Sequence, residues 1–223
     1  MKFIDPTGDV IIFPKSLTQA QLLYGISLLQ ELTNEKVVYQ TLDNGDYKIS
    51  LGVKKYFAGG EKANIKNRYY GTRLIRELND ASNEIFIDFQ DSRGKYPDKN
   101  VNENWALMVK GADYYKDDNE CDVSININPK YNPASMVYNS EDKSMTLAGR
   151  PTFIGLSHEL IHALHYITGL NLSGFGRNPL TGKMEKTEEL YTIGLYQIGT
   201  DDNITENKIR KEHGLPMRGT YAY

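Results

Sequence analysis

Three of the four histidines fall in one short run, Ser157-His158-Glu159-Leu160-Ile161-His162-Ala163-Leu164-His165. His158, Glu159 and His162 make the pattern HExxH. On a helix, residues four apart lie one above the other, so His158 and His162 present imidazoles to one point while Glu159 stands about 100° around the axis. Metal-assisted hydrolysis needs this set: two neutral nitrogen ligands, an open coordination position, and a carboxylate that takes the proton of the attacking water. With four histidines in 223 residues, a chance match is on the order of one in a few hundred. The neighbours Phe153, Ile154, Leu156, Leu160, Ile161 and Leu164 make the helix nearly apolar, and burial around a shared zinc explains three histidines there better than a solvated face does. His165 lies on the same face, but the three-histidine pattern requires Gly at its position and His where Thr168 stands, so packing or support of the ligands is its expected role.

Two imidazoles leave a zinc in need of a third protein ligand, usually a carboxylate on a following helix. Lys186-Thr187-Glu188-Glu189-Leu190-Tyr191-Thr192-Ile193-Gly194 offers Glu188 and Glu189, about 100° apart, so only one can face the ion, and spacing alone does not choose between them. Glu185, Asp201 and Asp202 are weaker candidates, in loops or near helix ends, and read rather as a solvated acidic edge. Cys121 is the single cysteine, which excludes an intrachain disulfide and a cysteine-rich zinc site.

These side chains need elements to hold them. Asp9 to Phe13 predicts a short strand, and Thr18 with Gln21 a capping box opening a helix that ends near Asn34. Val37 to Gln40 and Tyr47 to Val53 flank Asp43-Asn44-Gly45-Asp46, where Asn-Gly would supply the positive φ angles of a tight hairpin. A helix follows over Thr72 to Ser82 and a strand over Glu84 to Phe89. The polar stretch Ser92 to Glu120 predicts loop with short helical turns. Asp122 to Asn128 and the hairpin Met136 to Leu147 predict half-buried antiparallel strands. The last third predicts three helical runs, ending at Gly169, spanning Lys186 to Ile198, and spanning Thr205 to Gly214.

The run Glu188-Glu189-Leu190-Tyr191-Thr192-Ile193-Gly194 after HELIH resembles the clostridial neurotoxin light chains, gluzincins whose third ligand is the second glutamate of such a stretch. The resemblance implies zinc on Glu189, with Glu188 as support. It further implies that Arg218 and Tyr221, spaced as that family's Arg-x-x-Tyr pair, stabilise the tetrahedral intermediate, and that Glu206, twelve residues before Arg218, stands behind them. Arg150-Pro151-Thr152-Phe153-Ile154-Gly155-Leu156, Thr205-Glu206-Asn207-Lys208-Ile209-Arg210 and Gly214-Leu215-Pro216-Met217-Arg218 are similar to the bacterial effector metalloproteases of the NleD kind, peptidase family M91, over about the last third of the chain. Those proteases cleave host stress-activated kinases, but substrate choice lies outside these motifs. Phe3-Ile4-Asp5-Pro6-Thr7-Gly8 resembles the junction where Rhs or YD-repeat shells end and a toxin tip begins.

The expected fold is α+β and zincin-like, an antiparallel or mixed sheet packed on the HExxH helix with a helical C-terminal part. Residues 1–223 form one domain, with 1–14 as a junction segment. The expected activity is that of a zinc endopeptidase, secreted or delivered into a target cell as effector or toxin and binding its protein substrate as an extended strand on a sheet edge formed by Asp122 to Asn128 or Met136 to Leu147. An inactive zinc-binding module and a regulatory protease acting on an endogenous repressor are the alternatives. Hydrophobic residues make up 39% and charged residues 25% of the chain, as in a soluble globular protein, and a net charge of -3 gives no footprint for nucleic acid. No apolar run approaches the roughly 20 residues of a membrane span. A monomer without nucleic-acid or membrane partners is expected.

Overall fold

The computed structural model describes residues 10–52, 68–81, 83–89, 105–108, 122–130, 133–198 and 202–221. The expectations for Phe3 to Gly8, for most of Ser92 to Glu120, and for Asp201 lie outside them. In chain order the elements are β1 Val10–Phe13, α1 Gln19–Leu32, β2 Val37–Thr41, β3 Tyr47–Leu51, α2 Tyr69–Asn79, β4 Glu84–Phe89, β5 Trp105–Met108, β6 Val123–Ile127, β7 Ser135–Tyr138, β8 Met145–Ala148, α3 Thr152–Ile167, β9 Phe175–Arg177, β10 Met184–Lys186, α4 Thr187–Ile193, α5 Glu206–Glu212 and β11 Met217–Arg218. This is a mixed α+β chain.

Six strands form one sheet in the order β2-β3-β1-β4-β6-β5, in which β4 runs parallel to both β1 and β6 while the other pairs are antiparallel. Ile11, Phe13, Ile85, Ile87, Phe89, Val123, Ile125 and Ile127 face one apolar core shared with α1, α2 and α3. The alternation of Val123, Ile125 and Ile127 with Ser124 and Asn126 predicts one wet face, yet every residue of β6 is buried. Its place between β4 and β5 explains that. A strand flanked on both sides and covered on both faces carries polar residues only where they find partners. So β6 is neither half-buried nor an edge, and its pairing with β4 is parallel. β5 is a strand where loop and helical turns are expected, and it closes that end of the sheet.

Local signals hold where the cause is local. Thr18 Oγ1 accepts from Gln21 N at 3.2 Å and Gln21 Oε1 from Thr18 N at 2.9 Å, completing the capping box of α1. In the β2–β3 turn only Gly45 takes a positive φ, 88°, while Asn44 Oδ1 instead accepts from Asp46 N. α2 begins three residues before its predicted start because Glu212 of α5 caps it, accepting from Tyr70 N and Gly71 N. No local pattern could show a cap supplied from 142 residues away.

The predicted hairpin of β7 and β8 is present, joined by β11 in a three-stranded sheet ordered β11-β7-β8. The last third is less helical than predicted, since β9 and β10 form a hairpin between α3 and α4. α4 stops at Ile193 rather than Ile198. Gly194 follows with φ 88°, its N–H bonded to Leu190 O and Tyr191 O, which ends the helix in a left-handed cap. Among the described residues no helix is long and apolar enough to cross a membrane.

Candidate metal centre and the tail beside it

α3 is apolar on nearly every side, and it packs against α1, α2, α4, α5, β5 and β6. Burial all round fixes its rotation, so His158, Glu159, His162 and His165 cannot turn to solvent; each is at most 7% exposed. α4 approaches α3 with Glu188 and Glu189 in its first turn, and α5 approaches with Glu206 in its own.

His158 Nε2 lies 3.1 Å from His162 Nε2 and 3.2 Å from Glu189 Oε2, and His162 Nε2 lies 3.4 Å from that same oxygen. The opposite ring nitrogens face other carboxylates: His158 Nδ1 is 2.9 Å from Glu206 Oε2, and His162 Nδ1 is 3.0 Å from Glu188 Oε1. A carboxylate only accepts, so each Nδ1 donates, and in the neutral ring each Nε2 keeps its lone pair. Three electron-rich atoms therefore converge, and a proton or a cation must lie among them. Zinc bonds of about 2.0–2.2 Å place tetrahedral ligand atoms roughly 3.3–3.5 Å apart, close to the triangle seen here. The donor set and its spacing fit zinc.

The charges agree. Burial opposes a charge on His162, but Glu188 and Glu189 outweigh it and raise its pKa to about 10. Burial likewise opposes the charge of Glu189, yet hydrogen bonds from His158 and His162 hold it well below the usual carboxylate range. Glu188 is brought to about 2 against its burial by His162, His165 and the Leu172 N–H. His165 Nδ1 donates to Glu188 Oε1 at 2.6 Å while its ring stacks on Tyr191. His162, His165 and Glu188 thus form a second cluster directly behind the first.

Glu206 is fully buried and bridges the ligand region to the tail. Its Oε2 meets both His158 Nδ1 and Arg218 Nη1 at 2.9 Å, and its Oε1 accepts from Arg210 Nε at 2.6 Å. Burial would push its pKa up, but Arg218, His158 and Arg210 hold it well below the usual value. Arg218 is 1% exposed and donates from Nε to Thr220 O and from Nη2 to Tyr221 O, and its guanidinium lies 5.5 Å from the Tyr221 ring centroid. The residues picked from the sequence therefore gather in one place: His158, Glu159 and His162 on α3, Glu188 and Glu189 on α4, Glu206 on α5, and Arg218 and Tyr221 on the tail.

Sequence reasoning missed Arg210, which sits one turn after Glu206 and is buried. It also misjudged Glu185, which is 6% exposed rather than part of a solvated edge. Asp202, its supposed companion, pairs with Arg73 at the surface. A family model described as an effector protein, peptidase M91, matches residues 63–221. No curated protein and no solved structure matches the chain.

Proposed function

The chain belongs to the peptidase M91 family of effector proteins, and on that premise we propose that its residues form one zinc endopeptidase domain, delivered into a target cell to cut a protein there. The observation that carries this reading is the convergence of His158 Nε2, His162 Nε2 and Glu189 Oε2 within 3.4 Å of one another, each ring pinned by a buried carboxylate behind it. Held by these three residues, zinc would supply Lewis acidity and an acidified water.

The protein's own groups do the rest. Glu206 and Glu188 fix the ring orientation and the Nδ1 proton of His158 and His162, which keeps both Nε2 atoms basic. Glu159, buried beside both ligands, takes the proton of the attacking water and returns it to the leaving amine. The Tyr221 hydroxyl and the positive charge of Arg218 stabilise the oxyanion that develops on the scissile carbonyl. Arg218 also holds Glu206 and the Tyr221 carbonyl, so charge and geometry come from the same side chain.

We place this centre in a zincin-like fold, with α3 against β5 and β6. β5 has no partner on its outer side among the described residues. The substrate would add there as an extended strand, since backbone pairing alone tolerates many sequences.

Incubation of wild type and Glu159→Gln with target-cell lysate, followed by mapping of new protein termini, tests the proposal. New termini from wild type alone are expected, at least about 10²-fold above the variant. Equal effects of both proteins would favour a binding module, and cleavage confined to a repressor of the producing cell would favour a regulatory protease.

A further inference from the structure

Besides Asn207 of α5, which bonds the Arg218 N–H and C=O, and the Glu206–Arg218 pair, two supports hold the tail that carries Arg218 and Tyr221. One is sheet pairing, in which β11 pairs with β7 and Gly219 N donates to Met136 O. The other is Glu185, on β10. Its Oε1 accepts from Asn178 Nδ2 at 2.8 Å and from Thr220 Oγ1 at 2.6 Å, and its Oε2 accepts from Tyr221 N at 2.8 Å. Asn178 is wholly buried, and its Nδ2 reaches Gly219 O at 3.0 Å as well. Its Oδ1 accepts from Leu180 N and Thr181 N, which orders the turn between β9 and β10.

The distribution of these bonds matters. Arg218 takes the carbonyls of Thr220 and Tyr221, while Glu185 takes the Thr220 hydroxyl and the Tyr221 N–H. The last described residues are strung between a guanidinium on one side and a carboxylate on the other. Arg218 is anchored through Glu206 to a ligand histidine, whereas Glu185 is anchored to a hairpin that contributes no ligand. The hairpin therefore sets where Thr220 and Tyr221 lie, beyond the part of the tail fixed by β7 and α5.

We propose that Glu185 is a positioning residue of the endopeptidase: with Asn178 it latches Gly219, Thr220 and Tyr221 to the β9–β10 hairpin and so holds the Tyr221 ring and the Arg218 guanidinium in their working places. The proposal rests on the endopeptidase reading for its kinetic consequence, but the latch itself can be read without activity. Such a residue acts on turnover more than on binding, because a displacement of about 1 Å in a group that acts in the transition state can cost about 10²-fold in rate.

The test is Glu185→Gln in the full chain, read by amide hydrogen exchange and by peptide kinetics. The variant keeps the shape but turns an amide NH₂ toward donors that need an acceptor. Exchange at the Tyr221 amide should rise at least about tenfold while the amides of α3 and the zinc content stay unchanged. On a peptide spanning the cleaved bond, kcat should fall about 10- to 100-fold with KM within about twofold, and that loss should shrink in an Arg218→Ala and in a Tyr221→Phe background. Thr220→Val, which removes one hydroxyl from the latch, should move both readouts in the same direction by less and serves if Glu185→Gln folds poorly. Unchanged Tyr221 exchange, or a kinetic loss that adds in full both to that of Arg218→Ala and to that of Tyr221→Phe, overturns the proposal. If wild type cleaves nothing, the endopeptidase reading fails and the kinetic part of this inference with it, while the exchange experiment still decides whether Glu185 holds the tail.

Discussion

Glu188 and Glu189 are adjacent in sequence and similar in burial, yet the structure gives them different work. Glu189 Oε2 faces the two Nε2 atoms, while Glu188 spends its oxygens on His162 Nδ1, His165 Nδ1 and Leu172 N. Glu189→Gln should abolish stoichiometric zinc binding, and Glu188→Gln should weaken it about 10- to 100-fold, as loss of a partner behind a ligand typically does. Competition against a chelator of known affinity measures both, and the reverse order would overturn the assignment of the third ligand. At this scale the sequence was most legible where spacing on a helix is itself geometry, in His158 and His162. The choice of Glu189 came from resemblance, because two neighbours on a helix are equally plausible until the neighbouring helix is placed. Glu185 was misread as solvated, because a lone glutamate between Met184 and Lys186 has no periodicity to show that Asn178 and the tail close over it.

α4 and α5 must both dock on α3 for the two histidines to be oriented, and their connection is tight. A Cβ on Gly194 would meet Thr205 Oγ1 at 2.7 Å, and Thr205 is the N-cap of α5, accepting from Lys208 N. Gly194→Ala should therefore strain a left-handed cap, a cost of about 1–2 kcal/mol, and push on the residue next to Glu206. A lower urea midpoint with no change in slope is the expected result; an unchanged midpoint would mean that the junction yields freely. Element prediction went wrong by identifiable causes. The stop signal at Gly194 was present in the sequence, but the apolar pattern continuing through Leu195 and Ile198 masked it. The strands β9, β10 and β11 are only two or three residues long, below the span over which alternation can be recognised. β5 lies in a polar stretch and becomes a strand by pairing with β6, a tertiary cause.

The whole molecule divides its labour along the chain. Strands and helices before residue 150 supply most of the core, while every residue assigned to the centre follows Pro151. Such a site is an ordinary part of folding, so ligand and fold should be linked. Without the ion, His162 is protonated, and its raised pKa stabilises the fold fully below the unfolded value of about 6.5. That contribution is lost as pH rises through about 10. With zinc bound at its Nε2, the same ring would be neutral at every such pH. Chelation should therefore lower Tm, and by more at pH 9 than at pH 6.5. Calorimetry of both forms checks this, and a gap that shrinks with rising pH would contradict the arrangement of His162 between two carboxylates.

The converging atoms of this centre are two imidazole nitrogens and a carboxylate oxygen, and among the described residues no sulfur belongs to the cluster. A thiolate ligand is readily oxidised, and the three converging atoms include none. Moving the protein from an oxidising exterior to a glutathione-rich cytosol would leave these three donors chemically identical. Proton activity and competition for the proposed zinc are the solution variables that act on these three donors.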